Sequence, residues 1–394
     1  MTPRSVVAAD SELGVPSYAF SEEPEVPPSS QQQLHETREA AKAFVWSQYV
    51  EGVPFYSKEV FQELVRQFDS GGGPDGKIAV PGLNGIIVYY PLRTGQRCPT
   101  RPYGPEFYLN MTKPEVSYNG LQNMLNKPGP WQPDSQPIYM YYLPVAIEYE
   151  TEIRDAQTHE LVTRFPLADY NTVAGRLQQM RQSLEASGEL PQIRSTLESI
   201  PLPAGISKII ALSLGTMAWT TGCECSLAQH ALVLMIRDFI ANRNSPSTSN
   251  LTLSSSSEAA ASDAIRCFAQ DPIYCSLDEQ LLRENGVTVL DDPRAFLEVD
   301  ETTMLICIGS DIPVHQIVAD IARPAIMIWD EPVDEDPEIP WANTRTPRVD
   351  KMLQDYIELP FPANGDLFSD SLKIYVRQGE PMNVAQGRML TSHL

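Results

Sequence analysis

The chain has 394 residues, of which 42% are hydrophobic, and a formal net charge of −22. This length predicts roughly two to three domains, and no stretch approaches the roughly 20 apolar residues of a membrane span. The acidic balance argues against general nucleic-acid affinity, because phosphate contacts need Lys and Arg, although a local basic strip is compatible with RNA binding. The first residues lack an apolar signal core. We therefore expect a cytoplasmic protein with no metal, no cofactor, and neither DNA nor a membrane as a partner.

The N-terminal half predicts a tail followed by a mixed α+β region. Residues 1–33 are rich in Pro, Ser, Glu and Gln, which predicts a disordered segment. Residues 34–200 predict an N-terminal α+β extension packed on the main sheet. Within it, residues 92–137 carry many Pro, Gly and Asn and predict an irregular loop region. The other predicted elements are helices at 34–50, 57–68, 171–187 and 190–200, and a hairpin that turns at 81–84.

Residues 201–331 predict the core of the protein. Five short apolar runs, each closed by polar or acidic residues, alternate here with helical patterns. Unbroken apolar runs suit strands buried on both faces, and their alternation with helices predicts a doubly wound, mainly parallel, Rossmann-like α/β sheet. Residues 242–262 are rich in Ser and predict a disordered insertion. Residues 332–394 predict a C-terminal acidic loop, a helix at 349–357, a last loop with a short strand in FPANGDLFSDSLKIYVR, and a tail.

Hydroxyl and carboxylate side chains follow the predicted strands. Sheets of this kind place ligand sites at the carboxyl ends of their strands, near the reversal of strand order. We therefore treat these side chains as candidates for binding substrate or for catalysis: Ser213, Thr216, Asp271, Asp291, Asp292, Ser310, Asp311, Asp330 and Glu331.

The stretch from Val287 to Asn343 carries 13 acidic residues against two basic ones. Carboxylates grouped in this way can bind a guanidinium, hold a divalent metal, or act as acid and base. A solvated acidic loop is the alternative, and we prefer it for residues 335–338. Trp329 and Asp334, which flank the Asp330-Glu331 pair, join the candidates for substrate binding.

Ser213 and Thr216 lie in the turn LSLGTM, which follows the first strand of the core. A hydroxyl on such a turn can act as a nucleophile, and the helix beyond it offers backbone N–H groups. The alternative is that Ser213 is only a small residue tolerated at a tight turn. A triad of Ser213, His230 and Asp271 can be drawn, but a histidine of the apolar core is the simpler interpretation of His230.

The core resembles the sensitivity-to-red-light-reduced domain. The residues that carry the resemblance are IIALSLGT, LAQHALVLMIRD, FAQDPIYCSLDEQLLRENGVTVL and TMLICIG. This family is associated with regulation, including circadian and heme-related roles, so the resemblance implies a non-catalytic regulatory or binding protein. The chain departs from the family pattern at Ser213, where a glycine is common, and at Gly309-Ser310-Asp311, where a Pro-His pair is usual.

The N-terminal extension and a tail of the type WDE…PW…TPR…FP…YVR resemble the fungal arginine-containing cyclodipeptide synthases. This resemblance implies that arginyl-tRNA and a second aminoacyl-tRNA supply the two residues of a diketopiperazine, without ATP. The acidic D-D-x-x-E motif of that family has its nearest match in Asp330-Glu331-Pro332-Val333-Asp334. An acyl-enzyme route also needs a nucleophile, for which Ser213 is the first candidate and Thr216 the second.

A tRNA must bind in spite of the acidic balance of the chain. We expect a basic strip around the first crossover helix, formed by Arg176, Arg181 and Arg237, with Lys208, Arg194 and Arg243 beside them. The leading hypothesis is a tRNA-dependent cyclodipeptide synthase. The alternatives are a regulatory protein without catalysis and a small-molecule hydrolase or transferase that uses the Ser213 turn.

Overall fold

A computed structural model of the protein divides into two compact units, each described here by itself. The first comprises Met1–Pro166 and Asp292–Leu297, and the second Leu167–Asp291 and Glu298–Leu394. Most of the predicted disordered segments 1–33 and 242–262 lies outside the described residues. The structure describes residues 24–27, 37–99, 104–126, 137–162, 165–200, 202–203, 205–244, 265–334, 343–362 and 367–378.

The first unit combines helices with antiparallel sheets. The predicted hairpin around 81–84 is present, since β1 (Lys77–Pro81) and β2 (Ile87–Pro91) pair antiparallel. For the described part of 92–137 the prediction of an irregular region is wrong, because the 12-residue strand β4 (Phe107–Tyr118) pairs with both β3 (Arg97–Pro99) and β5 (Val145–Asp155). Its Pro114 lies where the register with β5 shifts, and such a bulge accommodates proline. The elements are α1 (Arg38–Val50), α2 (Lys58–Asp69), β1 (Lys77–Pro81), β2 (Ile87–Pro91), β3 (Arg97–Pro99), β4 (Phe107–Tyr118), α3 (Leu121–Asn126) and β5 (Val145–Asp155), with 3-10 turns at Pro74–Gly76 and Ile138–Tyr142.

The second unit is built on a seven-stranded sheet. Its strands are short and almost wholly buried, as their apolar composition predicts. The elements are α4 (Tyr170–Ser187), α5 (Glu189–Ser199), β6 (Lys208–Leu212), α6 (Glu224–Asn244), β7 (Arg266–Gln270), α7 (Ser276–Glu284), β8 (Thr288–Val289), α8 (Arg294–Glu298, of which residues up to Leu297 belong to the first unit), β9 (Thr303–Cys307), α9 (Val314–Ile321), β10 (Ile326–Asp330), α10 (Pro347–Leu353), β11 (Tyr356–Pro360) and β12 (Leu372–Arg377).

The strand order of this sheet is β11-β12-β10-β9-β6-β7-β8. The five strands from β10 to β8 pair parallel, whereas β12 pairs antiparallel with β10 and β11 pairs antiparallel with β12. The chain runs outward from β6 through β7 to β8, and then returns to the other side of β6 to form β9. The strand order therefore reverses between β6 and β9, which is where mainly parallel sheets place their ligand sites.

Two parts of the second unit differ from the expected division of the chain. The helices α4 and α5, which we assigned to the extension, bury Val173, Leu184 and Ile193 in the same apolar core as the sheet residues Ile209 and Ile326. Beyond residue 331 the predicted short strand is present as β12, and β11, which was not predicted, pairs with it. In the described part of the chain, no helix is both long and apolar enough to cross a membrane.

Candidate functional site

Two serine hydroxyls meet where the strand order reverses. Ser213 directly follows β6, and Ser310 lies three residues after the end of β9. Their Oγ atoms are 2.9 Å apart, within hydrogen-bond distance. Because β6 and β9 are parallel neighbours, their carboxyl ends deliver both residues to one edge of the sheet. This hydroxyl pair is the centre of the candidate site.

The backbone of Ser213 is held in an unfavourable conformation. Its φ angle is +56°, a left-handed value that residues with a Cβ rarely adopt. Its N–H donates to the carbonyl oxygen of Gln270 at 3.2 Å. Two residues later, Gly215 has φ +70°, and a Cβ at this position would lie 2.4 Å from the Oγ of Ser226. Strain of this kind persists where the surroundings impose it, and it is concentrated at functional sites.

A carboxylate flanks the serine pair on each side. On the β7 side, Asp271 accepts the N–H of Gly215 at 2.7 Å. On the β10 side, Asp330 accepts the N–H of Gly309 at 2.7 Å and the hydroxyl of Ser371 at 2.9 Å. Each carboxylate thus fixes the backbone of the loop that carries the neighbouring serine.

Burial raises the pKa of Asp271, because a charged carboxylate loses hydration inside the protein. The N–H groups of Ile273 and Gly215 act in the opposite direction, whereas the charges of Asp278 and Asp311 add to the rise. Asp311, the exposed residue after Ser310, therefore acts on Asp271 through its field. A carboxyl group with a raised pKa is a better proton acceptor than an ordinary one.

Cys307 lies beneath the hydroxyl pair. It is the last residue of β9 and is buried, and the hydroxyls of Ser310 and Ser213 both interact with its thiol. Burial, together with the negative charge of Asp330, raises the pKa of this thiol. Cys307 therefore stays protonated and packs in the core next to the two serines rather than acting as a nucleophile.

The second residue of the acidic pair has a different environment from the first. Glu331 lies 3.6 Å from a guanidinium nitrogen of Arg345 and 3.8 Å from the Nζ of Lys373. The same Arg345 forms ion pairs with Asp334 at 3.3 Å and with Asp350 at 3.1 Å. Glu331 and Asp334, proposed from the sequence for catalysis and substrate binding, therefore already surround a guanidinium of this chain.

Thr216, the second candidate nucleophile, is buried and bonded to another carboxylate. Its hydroxyl donates to Asp278 at 2.6 Å, and the N–H of Met217 donates to the same carboxylate at 2.9 Å. Asp278 also accepts the N–H of Cys275 at 3.1 Å and is itself fully buried. Thr216 thus supports the turn and does not face the site. Sequence reasoning missed Asp278, although it is the third residue after Cys275 and that spacing is typical of a helix capping box.

Three further candidates lie away from the serine pair. Trp329 is fully buried, with its ring centroid 4.2 Å from that of His315, so it supports β10 and presents no surface to a ligand. Asp292 belongs to the first unit, where the hydroxyl of Tyr118 donates to it at 2.7 Å. Asp291 follows β8 and lines a small cavity of about 360 Å³ with Glu279 and Arg283.

The histidines of the described residues do not bond to Ser213. His230 is buried, and its ring nitrogens contact the carbonyl of Ser226 at 2.6 Å and the hydroxyl of Tyr274 at 2.9 Å. Burial lowers the pKa of His315 to about 3, and its Nδ1 atom has no hydrogen-bond partner. A Ser–His–Asp triad of Ser213, His230 and Asp271 is therefore not formed.

The predicted basic strip is engaged in bonds within the chain. Arg181 and Arg237 both pair with Asp238, at 3.2 and 2.6 Å. Arg176 donates to the carbonyl of Trp219 at 2.8 Å and to the sulfur of Cys223 at 2.6 Å. These bonds use part of the five N–H donors of each guanidinium, and the Arg181 side chain remains 38% exposed.

Three arginines of the wider strip line a cleft of about 1010 Å³ between α4, α5 and α6. Its charged residues balance, since Arg181, Arg194 and Arg243 face Glu185, Glu198 and Asp238. This balance does not favour a polyanion. Across the residues that the structure describes, no group of three or more His, Cys, Asp or Glu side chains is placed to hold a metal ion.

Comparison with known proteins places this site inside a known domain. Residues 193–359 match the family model of the SRR1 domain, so the chain carries an SRR-like domain over this range. The matched range includes the serine pair, both flanking carboxylates and Glu331. No curated protein matches the chain.

Proposed function

We propose that the protein is a tRNA-dependent cyclodipeptide synthase with a Rossmann-like catalytic domain, which uses arginyl-tRNA and a second aminoacyl-tRNA to form an arginine-containing diketopiperazine. The observation that carries the proposal is the Ser213 hydroxyl, held on a left-handed backbone at the switch point and bonded to Ser310. Backbone strain of this kind is concentrated at functional sites, so it supports a functional need for the Ser213 side chain.

The absence of a bonded histidine favours this reaction over hydrolysis of unactivated substrates. A serine that attacks an amide or an ordinary ester relies on an adjacent general base. In the described structure the hydrogen-bond partner of Ser213 is another hydroxyl, that of Ser310. An aminoacyl-tRNA ester is already activated, and its own α-amine serves as the later nucleophile, so a weaker base is sufficient.

The chemistry then needs three transfers. The Ser213 oxygen attacks the arginyl ester, the bond to the terminal ribose breaks, and the ribose hydroxyl takes up the proton that the serine loses. The α-amine of the arginyl-enzyme attacks the second aminoacyl ester, which forms a peptide bond and releases the second tRNA. The free α-amine of the dipeptide attacks the serine ester, which closes the ring and restores Ser213.

Two sets of neighbouring groups support these steps. Ser310 can pass a proton to and from Ser213, and the carboxylates of Asp271 and Asp330 on the flanking strands can accept protons from the attacking amines. The acidic residues around Arg345 show which chemistry binds a guanidinium in this region of the chain. Because Arg176, Arg181 and Arg237 already bond to groups of this chain, the proposal also needs other cations to bind the tRNA.

A second candidate is a regulatory or binding protein of the SRR-like type without catalysis. It is favoured by the internal bonds of the acidic pair, since Asp330 is held by Gly309 and Ser371, and Glu331 by Arg345 and Lys373. In that case these residues stabilise the end of the sheet, and replacing them changes stability alone.

The test is mass spectrometry of reactions that contain the purified protein, total tRNA, aminoacyl-tRNA synthetases, ATP and the standard amino acids. We expect a cyclic arginine dipeptide. This product should be absent when arginine is omitted and when the Ser213→Ala variant replaces the wild-type protein. Ser207→Ala is the matched control, because Ser207 directly precedes β6 at its other end and its hydroxyl bonds only to Thr302. A folded protein that yields no such product would favour the regulatory candidate.

A further inference from the structure

His230 is held in one tautomer by its two partners. The carbonyl oxygen of Ser226, 2.6 Å from Nδ1, can only accept, so Nδ1 carries the proton. Nε2 is then the acceptor for the hydroxyl of Tyr274, 2.9 Å away. Burial lowers the pKa of His230 to about 4, so the ring stays neutral at physiological pH. Its polar atoms are therefore fully used inside the protein.

Tyr274 connects this histidine to the candidate site. Its backbone N–H donates to the carbonyl oxygen of Asp271 at 3.2 Å, which closes the turn after β7. The side chain of Asp271 is fixed by that turn through the N–H of Ile273 at 3.0 Å, and it accepts the N–H of Gly215 at 2.7 Å. A continuous set of bonds therefore runs from α6 to the turn that carries Ser213.

We infer that His230 is a positioning residue, which fixes Tyr274 and through it holds the carboxylate of Asp271 on the Ser213 turn. Tyr274 aligns the turn 271–275 against α6, and without that bond Asp271 loses its fixed direction toward Gly215. The consequence for catalysis rests on the proposed function, whereas the structural link itself does not.

Hydrogen exchange of two backbone amides tests the link directly. In Tyr274→Phe the ring stays but the bond to His230 is lost, and we expect the Gly215 amide to exchange on the order of tenfold faster. The Gly309 amide is the matched control, because it donates to Asp330 at the same 2.7 Å on the other side of the serine pair. We expect its exchange to stay within about twofold of the wild type.

Two variants of the histidine complete the test. His230→Leu removes the acceptor and should reproduce the effect of Tyr274→Phe, whereas His230→Gln offers an amide oxygen to Tyr274 and should restore protection of Gly215. Unchanged exchange at Gly215 in Tyr274→Phe would overturn the inference. Equal acceleration at Gly215 and Gly309 would also overturn it, because it would mean general loosening of the unit.

An activity measurement separates this inference from the proposed function. If wild-type protein makes the cyclic dipeptide, Tyr274→Phe should lower kcat on the order of tenfold and leave KM for arginyl-tRNA within about twofold, because the catalytic turn is displaced while substrate contacts remain. If the wild type makes no product, the proposed function fails, and the exchange of Gly215 against Gly309 still decides whether His230 positions the turn.

Discussion

The hydroxyl oxygens of Ser213 and Ser310 lie 2.9 Å apart at the point where the strand order of the sheet reverses. The two residues are 97 positions apart in the sequence. They come together because β6 and β9, which they follow, are parallel neighbours in the sheet. Asp271 and Asp330, at the ends of the flanking strands β7 and β10, fix the two loops. The predictions below separate the roles of these residues in function from their roles in stability.

Replacing Ser213 by glycine should abolish the reaction without loss of stability. The left-handed backbone of Ser213 costs roughly 1–2 kcal/mol, and glycine adopts it freely. We expect the free energy of unfolding of Ser213→Gly to equal that of the wild type or to exceed it by up to about 1 kcal/mol. Urea unfolding measures this change, and mass spectrometry measures the product.

The control for this variant is Ser207→Gly at the other end of β6. Ser207 is not in the left-handed region, so glycine there should lower the free energy of unfolding by roughly 0.5–1 kcal/mol. Loss of more than about 1 kcal/mol in Ser213→Gly would show that the hydroxyl is a structural group.

Replacing Asp278 or Thr216 should lower the stability of the fold and leave the reaction itself intact. In Asp278→Ala the hydroxyl of Thr216 and the amides of Met217 and Cys275 lose a buried acceptor, and we expect a loss of about 3–5 kcal/mol. Thr216→Val removes the donor to Asp278 and the acceptor of the Ala218 N–H, and it should cost about 1–3 kcal/mol while product formation continues. Glu279→Ala, at the next position of α7, is the control. Loss of the reaction in folded Thr216→Val would restore Thr216 as a catalytic candidate.

The ion pair of Lys208 and Asp300 should make stability depend on pH in the acid range. Burial raises the pKa of Asp300, but the bonds from Lys208, 2.7 Å away, and from Thr302 outweigh it and bring the pKa from 3.8 to about 2. Because the folded-state pKa is the lower one, this stabilisation is present above pH 3.8 and is lost as pH falls through 2.

Urea midpoints measured between about pH 5 and pH 2 test this expectation. The urea midpoint of Asp300→Asn should fall less steeply with decreasing pH than that of the wild type. The midpoint of Glu301→Gln, at the neighbouring exposed position, should follow that of the wild type. Parallel curves for the wild type and Asp300→Asn would contradict the assignment.

Arg176 should contribute to folding and not to RNA binding. Its guanidinium donates to Trp219 and Cys223 within the second unit, so Arg176→Ala should cost about 2 kcal/mol. We expect the affinity of the Arg176→Ala variant for tRNA, measured by filter binding at fixed salt, to stay within about twofold of that of the wild type. A clear loss of affinity in a folded variant would return Arg176 to the tRNA-binding surface.

The sequence predicts the strands of the sheet well because a local run of apolar residues marks each one. The runs that end before Ser213, Asp271 and Ser310 have apolar centres, and their polar closures mark the strand ends. Parallel pairing then brings these residues to one edge, which makes the grouping of Ser213, Asp271, Ser310 and Asp330 predictable. Their roles in catalysis remain predictions.

The features that the sequence does not reveal depend on contacts between distant residues. The sequence predicts the short last strand, β12, but its antiparallel pairing with β10 joins residues about 40 to 50 positions apart, which no local pattern indicates. Asp238 follows Arg237 directly in the sequence, but its ion pair with Arg181 forms only in the fold. Asp292 follows Asp291 directly, yet the two belong to different units.

The most direct test of the account is the intact mass of the protein after it is mixed with arginyl-tRNA alone and quenched in acid. Without a second aminoacyl-tRNA the reaction should stop at the first transfer, so we expect a mass gain of one arginyl group that maps to the peptide containing Ser213. Ser213→Ala should show no gain, and Ser207→Ala should behave as the wild type. An arginyl group on another residue, or none on a folded wild-type protein, would contradict the role of Ser213.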